Sequence, residues 1–392
     1  MTKMTRLRIP GLAVSGLLLV SMHCFTETTA QTKSVDAGTA VRTAEATRKA
    51  ATNPAVAKQY QGTIGNKLAI RVSLTIQQNS LAGEYAYVSV GKKLVLGGKM
   101  RTPDGEAEFA ESDEKGRETG SFVGFFSNQF NQFEGLWRDP RRRKNLPVFI
   151  QTAENGAYAA KAAPTPDDRA RIINWEVKPP PGTEAGSEPV TVNFPYLVGL
   201  KNRDVQARAQ QVLNETYSPQ EFLSSFRDRA APDEFGYEVT LNRKAILQLV
   251  YDITSTGAYT SRNAIRVSID LKTGEKITHQ QLFLPAKEAA LRQLLNGRLE
   301  AEKKELLAEN QTDPERDAES KQAFEEMLAE AQFHDYDLEN FIVGDDQLTF
   351  VYSYPFPHAM QALAPDPASL PLLFRELQPF VNPRGPLGRL IE

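Results

Sequence analysis

Cysteine is nearly absent from this chain: Cys24 is the only one in 392 residues. Histidine occurs four times and tryptophan twice. No apolar run reaches the ~20 residues of a membrane-spanning helix, which excludes a multispanning membrane protein. There is no basic excess either, with 46 Lys and Arg against 49 Asp and Glu and a net charge of -3. A nucleic-acid binder would usually carry one. The single cysteine excludes a disulfide framework and a thiolate-rich zinc site. What is present, 41% apolar, 24% charged and 9% aromatic residues, is ordinary globular composition. It excludes a collagen-like or wholly disordered chain. At about 150 residues per domain, the length predicts two domains or three.

The motifs of common enzyme chemistry are missing too. The sequence holds no GxSxG, no P-loop, no GxGxxG after a strand, and no HxxxH or HExxH. His279, His334 and His358 are far apart, so they read as structural histidines rather than a metal set. No catalytic residue, metal ligand or cofactor is assigned. Carboxylates are abundant, and a pair meeting across a cleft to hydrolyse envelope carbohydrate remains the alternative activity. The segment Asp270 to Glu275 resembles half a calcium loop but lacks its alternating acids. It reads as a tight turn with Gly274 at positive φ.

The first 30 residues read as an address. Lys3, Arg6 and Arg8 precede an apolar stretch from Gly11 to Met22, and Thr28, Thr29 and Ala30 suit cleavage after Ala30. The stretch is short for a bilayer span; an uncleaved anchor and lipidation at Cys24 are the alternatives, the latter disfavoured by His23 before it. Cleavage would remove three bases, one acid and the only cysteine, taking the net charge from -3 to -5. The expected location is periplasmic or secreted, with no membrane span after cleavage.

Residues 31–56 read as a flexible leader, poor in large apolar side chains. Residues 57–152 change texture. Leu68, Ile70, Val72, Leu74 and Ile76 alternate with smaller or polar residues, the period of a strand with one buried face. Further strands are expected at Glu84–Val90 (Tyr85, Tyr87 and Ser89 on one side), Lys93–Leu96, Gly120–Phe126, Phe133–Trp137 and Leu146–Gln151. Thr102-Pro103-Asp104-Gly105 is a turn signal. The spacing predicts an antiparallel meander closing into a barrel or sandwich.

Residues 153–188, rich in Ala and Pro, read as a linker, with Ile172–Val177 as one strand in or after it. Residues 189–392 read as an α+β domain. Asn202 is placed to cap a helix to about Tyr217, and Ser218-Pro219 to open a second. Three alternating runs follow, around Val239, Leu249 and Val267, and predict an antiparallel sheet with one packed face and a wetter one bearing Arg266, Ser268 and Asp270. Leu291, Leu294, Leu295 and Leu299 form a helical stripe, with Glu300 and Lys304 four apart. Thr312-Asp313-Pro314 divides that helix from one burying Phe324, Met327, Leu328 and Ala331. Gly344 to Gln347 reads as a turn before a closing strand through Leu348, Phe350, Tyr352 and Tyr354. The fold class is therefore α+β: an N-terminal barrel-like meander and a C-terminal sheet covered by helices.

The strongest charge feature is the run Arg138, Arg141, Arg142, Arg143 and Lys144. As a binding surface, Arg141, Arg142 and Arg143 would meet an anionic polymer such as cell-wall glycan, or lipid headgroups. As structure, the run is a charged hairpin tip. Phe126, Phe130 and Trp137 belong to an aromatic group large enough to line a pocket as well as a core. His358, after Tyr354-Pro355-Phe356-Pro357, is the histidine retained as a binding candidate. An apolar barrel interior would suit a small-ligand carrier.

Two stretches resemble known families. Tyr60 to Gly65, Gly83 to Tyr87, Thr119 to Phe125 and Gly135-Leu136-Trp137 are similar to a small β-domain at the front of bacterial secreted proteins. Ser268 to Glu275, Gln281-Leu282-Phe283, Leu348 to Tyr352 after Asp345 and Asp346, and Leu373 to Phe380 resemble the extracytoplasmic domain of lysozyme-sensing anti-sigma factors. That domain of unknown function also accompanies some peptidoglycan deacetylases. The resemblance implies a recognition module, with a lysozyme-like protein or peptidoglycan as partner. The residues show neither the membrane span of the first relatives nor the metal-dependent catalytic domain of the second. No binding residue carries over, because the match lies in strands and turns.

Overall fold

The computed structural model describes residues 55–102, 105–127, 129–152, 169–178, 191–227, 232–256, 260–357, 360–361 and 363–391. The expected signal and most of the leader lie outside these residues, as do His358 and most of the expected linker.

Eight strands follow one another: β1 (Val56–Ile64), β2 (Leu68–Gln77), β3 (Ser80–Tyr87), β4 (Lys93–Met100), β5 (Glu106–Ser112), β6 (Glu118–Ser127), β7 (Gln132–Arg138) and β8 (Asn145–Thr152). Each pairs antiparallel with the next, and β1 also pairs with β8 (Tyr60 opposite Thr152), so the sheet closes into a barrel. Alternation sends one set of side chains inward. Ile70, Val72, Leu74 and Ile76 of β2 are all buried. Across the interior Phe109 stacks on Phe122 at 4.9 Å, and Phe133 lies 5.2 Å from Phe109 and 5.0 Å from Phe126. The apolar side chains of this interior form one packed core. The strand expected at Glu84–Val90 starts earlier and stops at Tyr87; Ser89 lies beyond it. β5 carries only one large apolar side chain, Phe109, and has no counterpart among the expected strands.

A two-stranded ribbon, β9 (Arg171–Val177) and β10 (Val192–Val198), covers one side of the barrel. β9 falls inside the expected linker, so that segment contributes a paired strand. Ile173 and Val198 pack on Val123 and Leu136, which point outward from β6 and β7. The helices α1 (Arg203–Thr216) and α2 (Pro219–Arg227) follow. Asn202 caps α1 by accepting from the amides of Asp204 (3.0 Å) and Val205 (3.2 Å).

The second sheet is β11 (Glu234–Arg243), β12 (Ile246–Thr256), β13 (Thr260–Asp270) and β14 (Glu275–Lys276). One face packs on α1 through Leu247, Leu249, Val267 and Ile269. The turn into β14 needs Gly274: its φ is +79°, and a Cβ there would stand 2.3 Å from the Val205 carbonyl oxygen. The short helix α3 (His279–Leu282), the long α4 (Glu288–Thr312) and α5 (Ala318–Ala329) come next. A third sheet of β15 (Phe341–Val343), β16 (Gln347–Tyr352) and β17 (Ala368–Leu373) follows, then the single turns α6 (Phe374–Leu377) and α7 (Gly388–Ile391). Leu291, Leu295 and Leu299 of α4 and Phe324 and Leu328 of α5 form one core with Phe350 and Leu370.

Two expectations change here. The face of β12 and β13 expected to be wet is buried at Ser268 and Asp270 because β15 and the C-terminal turns cover it. Gln248 donates to the Phe341 carbonyl (3.0 Å), and Arg389 pairs with Asp270 at 2.8 Å. On α4, Glu300 pairs with Lys303 at 2.7 Å rather than with Lys304, because Lys303 turns inward to the Ala331 carbonyl.

Candidate functional site

In a meander barrel, alternate connections lie at the same end. The turns after β1, β3, β5 and β7 therefore share one pole, at residues 65–67, 88–92, 113–117 and 139–144. The Gly65 amide donates to the Pro147 carbonyl (2.7 Å), which ties the first turn to β8. Just inside this pole lies Glu111, buried at the end of β5. Its carboxylate accepts from the Tyr85 hydroxyl (2.6 Å), the Trp137 indole Nε1 (2.7 Å) and the Thr119 hydroxyl (2.5 Å). Charge-assisted bonds of this kind offset the cost of burying the carboxylate. Burial, and next the bond to Glu111, push the Tyr85 phenol far above its ordinary range; burial also raises Tyr87. Gly120 makes room for the indole, since a Cβ there would stand 2.4 Å from Trp137 Nε1. Tyr87, Leu94, Trp137 and Leu146 form the half-buried rim of the mouth.

The predicted site residues divide around this pole. Arg141 and Arg143 are exposed in the turn between β7 and β8. Arg142 is half-buried: it donates to the Ser121 hydroxyl (2.8 Å) and lies 3.5 Å from Glu176. Arg138, the first base of the run, is buried and pairs with Glu176 at 2.6 Å and with the Asn174 carbonyl. Burial above all, with Arg142 and Arg101 nearby, pushes its guanidinium down to about 10 against the pull of Glu176. Arg138 and Arg142 thus fasten β9 to the barrel, and only part of the basic run faces solvent. Trp137 reaches the rim, but its indole N–H is committed to Glu111. Phe126 is 3% exposed within the barrel core, and Phe130 closes the opposite end against it, 5.8 Å away. Phe126 is a packing residue because its strand parity turns it inward, and Phe130, in the turn after β6, packs on it from the end of the barrel. His358 lies outside the described residues.

Sequence reasoning missed two arrangements: the first has no signature in the sequence, and the second shows there as an excess of acids. His279 is 8% exposed, with Nδ1 2.7 Å from Glu339 and Nε2 3.9 Å from Glu288. It ties the start of α3 to α4 and to the segment before β15. Among the described residues, no group of three or more His, Cys, Asp or Glu is placed to hold a metal ion. The second arrangement is electrostatic. Residues 288–330 carry twelve acids and six bases. Glu300, Glu305, Glu309, Glu315, Glu319, Glu325, Glu326 and Glu330 are all exposed, so the solvent side of α4 and α5 is acidic. No helix among the described residues is long and apolar enough to cross a membrane.

No family model and no curated protein matches this chain. Two solved structures are similar over part of it. One is a member of the DUF3298 family from Bacteroides fragilis, with 16% identity and a TM-score of 0.34, covering 57% of this chain and 97% of that one. The other is a DUF3298 family protein from Pseudomonas aeruginosa, with 16% identity and a TM-score of 0.33, covering 56% of this chain and 95% of that one.

Proposed function

We propose that the chain is an exported, non-enzymatic binding protein of the bacterial cell envelope, periplasmic or secreted, and that its partner is a basic protein of lysozyme type. The observation that supports this is the acidic solvent side of α4 and α5, in a chain of modest net charge. A cationic partner gains attraction and association rate from such a surface. The resemblance of the C-terminal half to the extracytoplasmic domain of lysozyme-sensing anti-sigma factors agrees with the same partner.

The test is retention of the purified chain on immobilised lysozyme and on insoluble peptidoglycan. We expect retention on lysozyme that weakens as salt rises. Reversing Glu305, Glu309 and Glu326 to Lys should lower the affinity by at least about tenfold. Retention on peptidoglycan alone would transfer the role to cell-wall glycan. Release of reducing sugar or acetate would replace binding by hydrolysis. No retention on either support removes both partners.

A further inference from the structure

The pole of the barrel that carries Glu111 differs from the opposite pole in two ways. The first is charge. Residues 65–67, 88–93, 113–118 and 139–144 hold nine cations and four acids, although the whole chain is net -3. Three of those cations are paired: Arg117 with Asp113 at 2.7 Å, Lys93 with Glu84 at 2.5 Å and Arg142 with Glu176 at 3.5 Å. The Asp139 carboxylate accepts from the Lys144 amide at 2.6 Å. Lys67, Lys92, Lys115, Arg141, Arg143 and Lys144 stand exposed around the rim. At the other pole the described turn residues, 78–79, 101–102, 105 and 129–131, contain one cation, Arg101, and no acid.

The second difference is apolar exposure among those cations. Val90 is 70% exposed, Val88 53% and Leu68 45%. The Val88 amide donates to the Ala69 carbonyl (2.9 Å), which sets this turn beside Leu68 at the start of β2. Val90 is followed at once by Gly91, Lys92 and Lys93. Apolar side chains at the tips of turns gain free energy when they enter the boundary between headgroups and acyl chains. The flanking lysines and arginines then stay with the phosphates, at about one kT-scale gain each or more. A glycan polyanion would engage the cations but give Val88 and Val90 nothing to enter.

We propose that this pole docks the protein onto an anionic lipid surface, with the Val88–Lys93 turn inserted at the interface and the cations of the other three turns resting on lipid phosphates. The inference goes beyond the binding reading above. It assigns the barrel to the membrane and leaves α4 and α5, in the other half of the chain, for the protein partner.

The experiment uses the full chain with Cys24→Ser and Val90→Cys, labelled at the new thiol with an environment-sensitive nitrobenzoxadiazole. A sister chain carries the label at Asn79→Cys, in the turn between β2 and β3 at the other pole. With vesicles of phosphatidylcholine containing about one quarter phosphatidylglycerol, the label at position 90 should brighten and shift to the blue while the label at 79 stays unchanged. In the Val90→Cys chain, Lys92→Glu with Lys93→Glu should lower vesicle affinity at least about tenfold. Any attachment through residues 1–30 is common to all these chains and does not mimic a signal specific to position 90. The proposal is overturned by an unmoved label at 90, by equal shifts at 90 and 79, or by equal shifts on neutral and anionic vesicles. A label at 90 that responds to insoluble peptidoglycan and not to vesicles would also overturn it, and would give the pole to the glycan.

Discussion

Gln248 lies within the otherwise apolar stretch Ile246 to Tyr251, fully buried. A buried amide is costly unless its bonding positions are used. Its Oε1 accepts from the Val343 amide (2.8 Å) and the Thr240 hydroxyl (3.0 Å), and its Nε2 donates to the Ser268 hydroxyl (2.8 Å) and the Phe341 carbonyl (3.0 Å). One side chain thus joins the second sheet to the third. Gln248→Leu strands a buried amide and a buried carbonyl of β15, and we expect a loss of about 2–4 kcal/mol in urea unfolding. A loss under ~0.5 kcal/mol would mean that β15 does not depend on this amide. Glu111→Gln makes a parallel case at the barrel mouth. An amide nitrogen would then face hydroxyl and indole donors, so about 1–3 kcal/mol should be lost, with a shift in Trp137 emission.

At the scale of elements, the ribbon of β9 and β10 is held to the barrel by apolar packing and by the Arg138–Glu176 pair. The lowered guanidinium of Arg138 marks the cost of its burial. Removing its partner by Glu176→Ala should therefore cost about 3 kcal/mol, whereas replacing both residues by Met and Leu should be nearly neutral. Comparing the two variants by denaturant unfolding separates the net worth of the pair from the penalty of a stranded charge. Asp317 caps α5 by accepting from the Ser320 amide at 2.7 Å, and this bond lowers its carboxyl below the ordinary 3.8. A lowered acid contributes stability that is present above the unfolded value and lost as pH falls through the folded one. Amide exchange at the start of α5 should accelerate only below about pH 4, and Asp317→Asn should keep the cap while removing that dependence.

For the whole molecule, alkaline pH is the sharper stress. Burial raises the phenols of Tyr60, Tyr85, Tyr196, Tyr251 and Tyr354 well beyond their ordinary value of 10, and pushes Tyr237 up to about 12. These groups bind their protons more tightly when folded. Their contribution is whole below about pH 10 and is lost as pH rises further. Absorbance at 295 nm should show these six phenols ionising together with a cooperative loss of structure, and their smooth titration near pH 10 without unfolding would contradict this burial.

Local pattern alone determined much of this protein: the alternation of β2, the Asn202 cap, the Gly274 turn and the leucine stripe of α4 are short-range signals that survive any context. The α+β division and the closing meander follow from them. Tertiary structure decided the rest, because those features depend on residues distant in sequence. β5 reads as polar until Glu111 meets Tyr85 and Trp137. Ser268 and Asp270 read as wet until β15 and Arg389 cover them. β9 is legible as a strand at Ile172–Val177, but its partner is not, until Val192–Val198 pairs with it. The basic run divides into buried and exposed members only because Glu176 lies beside it, and the exposed members form a basic pole only because barrel closure gathers four separate turns at one end.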